Sequence, residues 1–117
     1  QSMTYPLNPP LMELLVLSLI LREDSYGYQI SQQMKRVSQM KDSTLYPVLR
    51  RLSEQQCVNA YDQPYQGRNR KYYQITEKGK AYQEQLEQEW NTYTAAVREI
   101  LDCSRDAAEG GKEEKNE

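Results

Sequence analysis

A long apolar segment, residues 11–21, lies near the start of the sequence, and only Glu13 and Ser18 interrupt it. A helix that is apolar on nearly every side is buried, and proline is well tolerated at its start. Because Pro9 and Pro10 precede the segment, the pattern predicts a buried first helix from about residue 10 to 22. The segment is too short to cross a bilayer, so we expect no contact with a membrane.

A second, shorter amphipathic helix is predicted after a polar break in the chain. Ile30, Met34 and Val37 lie four and three residues apart, which is the spacing of a single apolar stripe on a helix. Short polar side chains often accept hydrogen bonds from the free N–H groups of a first turn. We therefore expect Asp24 or Ser25 to cap this helix.

The third helical segment, residues 43–56, has one apolar face and one polar, basic face. Proline lacks an N–H group and is tolerated mainly in the first turn of a helix, where that group has no partner. Pro47 therefore limits where the helix can begin, and Ser43 or Thr44 as the capping residue satisfies this limit. The apolar stripe that we expect to face the core consists of Leu45, Val48, Leu49 and Leu52.

A β-hairpin is predicted next. Residues 58–62 and 71–75 contain valine, tyrosine and isoleucine, and the polar, basic residues 63–70 separate them. Such residues favour strands, and a polar segment between two short strands predicts a hairpin loop. The hairpin therefore has a basic tip.

A long helix is predicted after the hairpin, with Thr76 as its N-cap. Its apolar stripe is narrow and rich in aromatic residues, which is typical of a helix that packs along a partner. The stripe, and hence the predicted dimer contact, consists of Tyr82, Leu86, Trp90, Tyr93, Val97 and Ile100 or Leu101. From Ser104 onward, paired glycines and a mixture of glutamate and lysine predict a disordered tail.

The charge of the chain, −2 in total, is unevenly distributed. Residues 41–75 have six basic and three acidic side chains, whereas residues 76–117 have six basic and eleven acidic ones. Salt screens exposed charges beyond about 8 Å at physiological ionic strength, so a basic middle segment can attract phosphate even beside an acidic C-terminal one. The composition is therefore compatible with binding to double-stranded DNA.

The composition also speaks against an enzyme. The sequence has no histidine, so the commonest general base and transition-metal ligand are missing. Its five glycines form no phosphate-binding loop. Cys57 and Cys103 are far apart and no sign of export accompanies them, so we expect two free thiols. We predict a cytoplasmic protein without enzymatic activity, metal or cofactor.

The order of elements is that of a winged helix-turn-helix protein: a helix pair with a short polar connection, then a basic-tipped hairpin. The predicted fold is mainly α with a two-stranded β wing and a long C-terminal dimerisation helix. We expect a DNA-binding domain at residues 4–76, the dimerisation helix at 77–103 and the tail at 104–117. In this fold the second helix of the pair enters the major groove. The residues predicted to face DNA are Ser43, Thr44, Tyr46, Pro47, Arg50 and Arg51 on that helix, and Gly67, Arg68, Arg70 and Lys71 on the wing.

Each basic cluster also has a purely structural explanation. Taken alone, Arg50 and Arg51 are typical of a solvated surface pair, and a basic hairpin tip can simply keep an edge strand soluble. The occurrence of both clusters after a helix pair favours DNA binding. Either arginine could read a guanine base or contact only phosphate.

Three motifs resemble those of the PadR-like family of bacterial transcriptional regulators. They are YGYQI at residues 26–30, TLYPVLRRL at 44–52 and RKYYQITEKG at 70–79, and the resemblance covers roughly residues 11–102. It implies a winged helix domain, a dimer formed mainly by the C-terminal helix, and repression of a nearby operon through a pseudo-palindromic operator. It also implies that Tyr26 and Tyr28 lie near the DNA phosphates.

The resemblance bears on two further positions. In some small members of the family, a tryptophan at the position of Trp90 stacks on planar drugs or dyes between the subunits, which implies a ligand site there. The residue itself favours simple dimer packing, because buried aromatic side chains are common interface anchors. The family usually has glycine after the recognition helix, where this chain has Gln56, so a left-handed residue at that helix end would cost about 1 kcal/mol.

Together these observations predict a homodimeric DNA-binding repressor that binds a two-fold operator and is released by a planar hydrophobic ligand at the dimer interface. The alternative is a winged-helix module for protein–protein interaction without sequence-specific DNA binding. The acidic C-terminal part of the chain favours this alternative. The two differ in whether the protein binds duplex DNA with an affinity that falls steeply with salt.

Overall fold

Four helices and one three-stranded antiparallel sheet form the part of the chain that the computed structural model describes, residues 5–115. The helices are α1 (Pro9–Arg22), α2 (Gly27–Met34), α3 (Asp42–Glu54) and α4 (Glu77–Lys115). The strands are β1 (Ser25–Tyr26), β2 (Val58–Tyr65) and β3 (Arg68–Ile75), with β3 between the other two. The predicted mainly helical fold with a β wing and a long C-terminal helix is confirmed. β1 adds a third, two-residue strand to the wing.

The core lies between α1, α2, α3 and the base of the sheet. Removing a large apolar side chain from water stabilises a fold by roughly 1.5–3 kcal/mol, so the buried stripes of these helices determine how they face one another. Those stripes are Val16, Leu17 and Ile20 of α1, Ile30 and Met34 of α2, and Leu45, Val48, Leu49 and Leu52 of α3. The stripe of α3 is the one predicted, and its burial leaves the opposite face of α3 in water.

α2 begins and ends differently from the prediction. Its N-cap is Tyr26, without a hydrogen bond from the side chain. Ser25 lies in β1 instead, and its Oγ donates to the carbonyl of Glu23 at 2.9 Å. Val37, expected on the apolar stripe of α2, follows the last helical residue by three positions and is 42% exposed. Ser25 thus belongs to a strand and does not cap α2.

α3 begins earlier than predicted, and no side chain caps it. Its first residue, Asp42, accepts a hydrogen bond at 3.2 Å from the Oγ of Ser31 on α2, which holds the two helix ends together. Ser43 and Thr44 therefore lie inside the first turn, and Pro47 is the sixth residue of the helix. A proline there leaves the carbonyl of Ser43 without its helical N–H partner, which exposure to water makes tolerable.

The C-terminal end of α3 is a Schellman motif. Gln56 has a φ of 62°, in the left-handed region that favours glycine. The amide of Cys57 donates to the carbonyl of Leu52 and that of Gln56 to the carbonyl of Ser53, each at 2.9 Å. Leu52 and Cys57 are both buried and supply the apolar contact that accompanies this motif. The last helical residue is Glu54, two positions before the predicted end.

Thr76 caps α4 as predicted. Its Oγ1 accepts a hydrogen bond from the amide of Gly79 at 3.0 Å and donates to the carbonyl of Gln56 at 2.7 Å. Its own amide donates to the carbonyl of Cys57 at 3.0 Å. The start of α4 is therefore tied to the end of α3. α4 continues to Lys115, so residues 104–115 of the predicted disordered tail are helical, while residues 4, 116 and 117 lie outside the described residues.

The chain forms two compact units, one ending at Leu86 and one beginning at Glu87. The first turns of α4 thus belong with the winged helix, whereas the sequence predicted a boundary after residue 76. The second unit is the remainder of α4. Among the described residues, no helix combines the length and apolarity needed to span a bilayer.

Candidate nucleic-acid interface

α3 presents a polar face to water. Ser43, Tyr46, Pro47 and Arg50 are exposed, and their spacing of three or four residues places them on one side of the helix. Thr44 is exposed at the edge of this side. The free N–H groups of a helix's first turn favour an anion, so the N-terminal part of α3 can accommodate a phosphate.

The start of α2 lies against this face. A Cβ atom on Gly27 would come within 2.6 Å of the Oη of Tyr46, so only glycine allows the Tyr46 ring to lie there. Tyr46 is 41% exposed, and Tyr28, in the first turn of α2, is 63% exposed. Tyr26 precedes Gly27 and is half-buried in β1. Tyr46 therefore lies against the start of α2, Tyr28 is exposed in the first turn of that helix, and the ring of Tyr26 meets Tyr72 of β3 instead.

Arg51 does not belong to the exposed face of α3. Its Nε donates to the Oε2 of Glu13 on α1 at 3.0 Å, and the Glu13 side chain is only 9% exposed. A buried carboxylate is costly unless a charged partner compensates it. The buried Glu13 therefore draws the guanidinium of Arg51 toward α1, although 41% of the Arg51 side chain is exposed, and the contact of Arg51 with DNA stays a prediction. Arg50 remains in water.

Tyr82, predicted to lie in the dimer contact, is a second partner of Glu13. Its Oη donates to the Oε1 of Glu13 at 2.5 Å. This hydrogen bond, with partial burial, raises the pKa of Tyr82 to about 12, so the hydroxyl keeps its proton at neutral pH. Leu86, also predicted in the dimer contact, is buried in the core of the winged helix. The members of the predicted stripe that remain exposed are Trp90, Tyr93, Val97, Ile100 and Leu101.

The wing is longer and tighter than predicted. β2 and β3 pair along all eight residues of each strand. Only Gln66 and Gly67 connect them, with φ values of 51° and 78°. Positive φ at both central residues is the pattern of a type I′ turn, which suits the twist of a hairpin. Arg68 and Arg70, expected in the loop, therefore lie in β3.

The alternation of side chains along β3 separates the basic residues of the wing. Tyr73 is buried on the face toward the helices, and Lys71, two residues earlier, lies on that same face. Burial, with a smaller effect of Tyr46, raises the pKa of Tyr73, so Tyr46 of α3 lies near Tyr73. Lys71 therefore lies on the sheet face that turns toward the helices, while Arg68 and Arg70 lie on the outer face of the sheet.

The outer face of the sheet has a cluster of tyrosines around Arg70. The rings of Tyr61 and Tyr72 stack with centroids 5.7 Å apart, and Tyr26 meets Tyr72 edge-on at 5.4 Å. The Cζ of Arg70 lies 3.9 Å from the ring centroid of Tyr26 and 3.4 Å from that of Tyr65. Sequence reasoning missed this cluster, although period-two alternation in two paired strands could have revealed it.

Asp24 and the two cysteines are the remaining polar or reactive groups that the sequence analysis singled out. Asp24, expected to cap α2, instead accepts a hydrogen bond from the Oη of Tyr61 at 2.6 Å, which raises the pKa of Tyr61. Cys57 is buried and Cys103 exposed, and both are free thiols. Among the side chains that the structure describes, residues 5–110, no three of histidine, cysteine, aspartate or glutamate come together as metal ligands would.

A family model and several solved structures are similar to this chain. The model of the transcriptional regulator PadR-like family matches residues 16–85. A protein from Lysinibacillus sphaericus, described as uncharacterized, is 40% identical over 103 residues, which cover 84% of this chain and 91% of that protein. A crystal structure of a Streptococcus mutans protein is 40% identical, with a TM-score of 0.82 over 86% of this chain and 94% of that one. A PadR family transcription regulator from Clostridium difficile is 30% identical, with a TM-score of 0.71 over 77% of this chain and 97% of that one.

Proposed function

The chain belongs to the PadR-like family of transcriptional regulators, and on that premise we propose that it represses transcription by binding a two-fold DNA operator as a homodimer. The observation that carries the proposal is the exposed face of α3, with Ser43, Tyr46 and Arg50 on one side of the helix. A helix that presents polar and basic side chains to water is suited to the major groove.

The wing supports the same surface. Lys71 lies on the face of β3 that also includes Tyr73, and Tyr73 lies near Tyr46 of α3. A basic residue at this place can contact a phosphate beside the groove that α3 enters. Arg68 is exposed next to the turn and can reach the backbone from the outer face. Phosphate contacts of this kind position a protein on DNA, while the groove contacts of α3 select the sequence.

The apolar face of α4 supports a dimer. Trp90, Tyr93, Val97 and Leu101 follow one another at spacings of three and four residues and are 39%, 63%, 40% and 47% exposed. Exposed apolar stripes of this kind typically pack against another helix, and a second copy of the same helix is complementary by symmetry. A dimer places two α3 helices on DNA, with half-sites about 34 Å apart or a multiple of that distance.

Replacing Arg50 with alanine tests the DNA surface. The target duplex is found by footprinting the DNA upstream of the chain's own gene, and affinity is then measured over a range of salt. We expect Arg50→Ala to weaken binding about tenfold or more, since a bidentate base contact is worth about 1–3 kcal/mol. If Arg50 contacts only phosphate, the log–log salt slope falls by about one instead. Arg105→Ala, which removes the same charge from an exposed site on α4, should bind as the wild type does.

Two results would contradict the proposal. Wild-type protein that binds no duplex at any salt would favour the protein-interaction module instead. Unchanged binding by Arg50→Ala would remove α3 from the interface. Arg51→Ala is not a suitable test, because it leaves the buried carboxylate of Glu13 without its charged partner and so damages the fold itself.

The release of the repressor by a ligand is the last part of the proposal. The rings of Trp90 and Tyr93 lie with centroids 6.1 Å apart on the exposed face of α4, and flat aromatic surfaces of this kind stack on planar molecules. The acidic balance of residues 76–117 favours a cation. A planar hydrophobic cation bound between two copies of α4 would change the separation of the α3 helices and so weaken operator binding.

Fluorescence tests this ligand directly, because Trp90 is the only tryptophan of the chain. Titration of ethidium into the DNA-free dimer should quench the Trp90 emission and raise the anisotropy of the dye. Trp90→Leu should abolish the rise in anisotropy while sedimentation still reports a dimer. Constant emission across ethidium and related planar cations would show that Trp90 serves packing alone.

A further inference from the structure

The guanidinium of Arg70 lies over two aromatic rings. It projects from β3, the central strand, and lies between the ring of Tyr26 in β1 at 3.9 Å and the ring of Tyr65 in β2 at 3.4 Å. Its Nη1 is 3.5 Å from the Oη of Tyr72. A guanidinium between two aromatic faces is attracted by the negative charge density of both rings. The side chain thus connects all three strands of the sheet.

The rings of Tyr65 and Tyr26 lie at the end of a strand and at the start of a helix, respectively. Tyr65 is the last residue of β2 and adjoins the turn at the tip of the wing. Tyr26 is the N-cap of α2, and the next residue, Gly27, lies against Tyr46 of α3. The contacts of Arg70 therefore link the tip of the wing to the helix that forms the proposed DNA surface.

We propose that Arg70 is a positioning residue that clips the wing against β1 and holds it at a fixed angle to α3, and that it does not contact phosphate. This inference rests on the proposed DNA-binding function. Arg68, two residues earlier on the same face, is exposed and is the phosphate-binding arginine of the wing. We call the contacts of Arg70 with the rings of Tyr26 and Tyr65 the clip. The clip requires a planar cation, so replacing Arg70 with lysine preserves the charge but not the stacking on the two rings.

Two substitutions remove the clip without changing the charge of the wing. Arg70→Lys removes the planar group, and Tyr65→Leu removes one of the two rings. Both should speed amide hydrogen exchange in the wing, residues 60–73, by about fivefold or more, because cation–π contacts that close the sheet are lost. Both should also weaken binding to the footprinted duplex by a similar factor with an unchanged salt slope, since no phosphate contact disappears. Arg105→Lys, the matched control at an exposed arginine of α4, should leave exchange in the wing and affinity as in the wild type.

The opposite pattern would overturn the proposal. Arg70→Lys that binds and exchanges like the wild type, together with Arg70→Ala that lowers the salt slope by about one, would make Arg70 a phosphate contact. The exchange measurement needs no DNA. Faster exchange in the wing of Arg70→Lys, with no duplex binding by the wild type, would therefore support the clip while the proposed function failed. Unchanged exchange in both clip variants would overturn the clip whether or not the protein binds DNA.

Discussion

Val97→Glu should convert the dimer into a monomer and reduce operator binding at least about a hundredfold. Val97 lies in the middle of the exposed apolar face of α4, four residues from both Tyr93 and Leu101. In a symmetric helix pair, one substitution introduces two carboxylates into the contact. The penalty for taking an unpaired ion out of water is several kcal/mol, and each 1.4 kcal/mol changes an equilibrium tenfold. A monomer then offers one α3 helix to an operator that requires two.

Sedimentation and gel-shift experiments measure the two parts of this prediction. Ala95→Glu introduces the same charge two residues away, on the opposite side of α4, and should leave both the dimer and its DNA binding unchanged. Circular dichroism of both variants verifies that the helix remains. A Val97→Glu protein that is still dimeric at low micromolar concentration would show that subunits associate through another surface.

Gly79→Ala should destabilise the protein by at least about 2 kcal/mol, although alanine is the better helix former. A Cβ atom on Gly79 would lie 2.0 Å from the carbonyl oxygen of Cys57 and 2.8 Å from Cγ1 of Ile75. The contact with backbone cannot be relieved by rotating a side chain. The carbonyl of Cys57 also accepts hydrogen bonds from the amide and the hydroxyl of Thr76, so moving α4 away would break these hydrogen bonds. Overpacking of this kind costs about 1–3 kcal/mol or more, which outweighs the gain of about 1 kcal/mol in helix propensity.

Urea unfolding followed by circular dichroism gives the free energy of unfolding for each variant. Gly110→Ala is the control, because nothing lies within 4 Å of a Cβ atom at Gly110 in the same helix. It should leave stability unchanged or raise it by up to about 1 kcal/mol. Equal effects of the two substitutions would contradict the close approach of α4 to Cys57.

The sequence alone predicted the features that depend on a local pattern of residues. The spacing of Leu45, Val48, Leu49 and Leu52 identified the buried face of α3, and a threonine before a run of helix formers identified the cap of α4. Periodicity reports which side of a helix is apolar, and that side is the same in the isolated segment and in the fold. The exposed face of α3 follows from it directly.

The sequence alone did not predict the features that depend on residues far apart in the chain. Arg50 and Arg51 are indistinguishable locally, and only Glu13, 38 residues away, turns Arg51 inward. β1 is two residues long and exists because β3 supplies its hydrogen bonds, so no local pattern could predict it. Arg70 lies among tyrosines from β1 and β2. Each of these positions is determined by tertiary contacts that a single-segment pattern does not contain.

The carboxylate of Glu13 also determines the rotation of α1 about its own axis. A helix with apolar side chains on nearly every side buries a similar area in several rotational settings, so hydrophobic burial selects weakly among them. The observed setting brings Glu13 within hydrogen-bond distance of both Arg51 and Tyr82, and a rotation of α1 away from it would break both hydrogen bonds. A single acidic side chain thereby favours one rotational orientation of the most apolar helix of the chain.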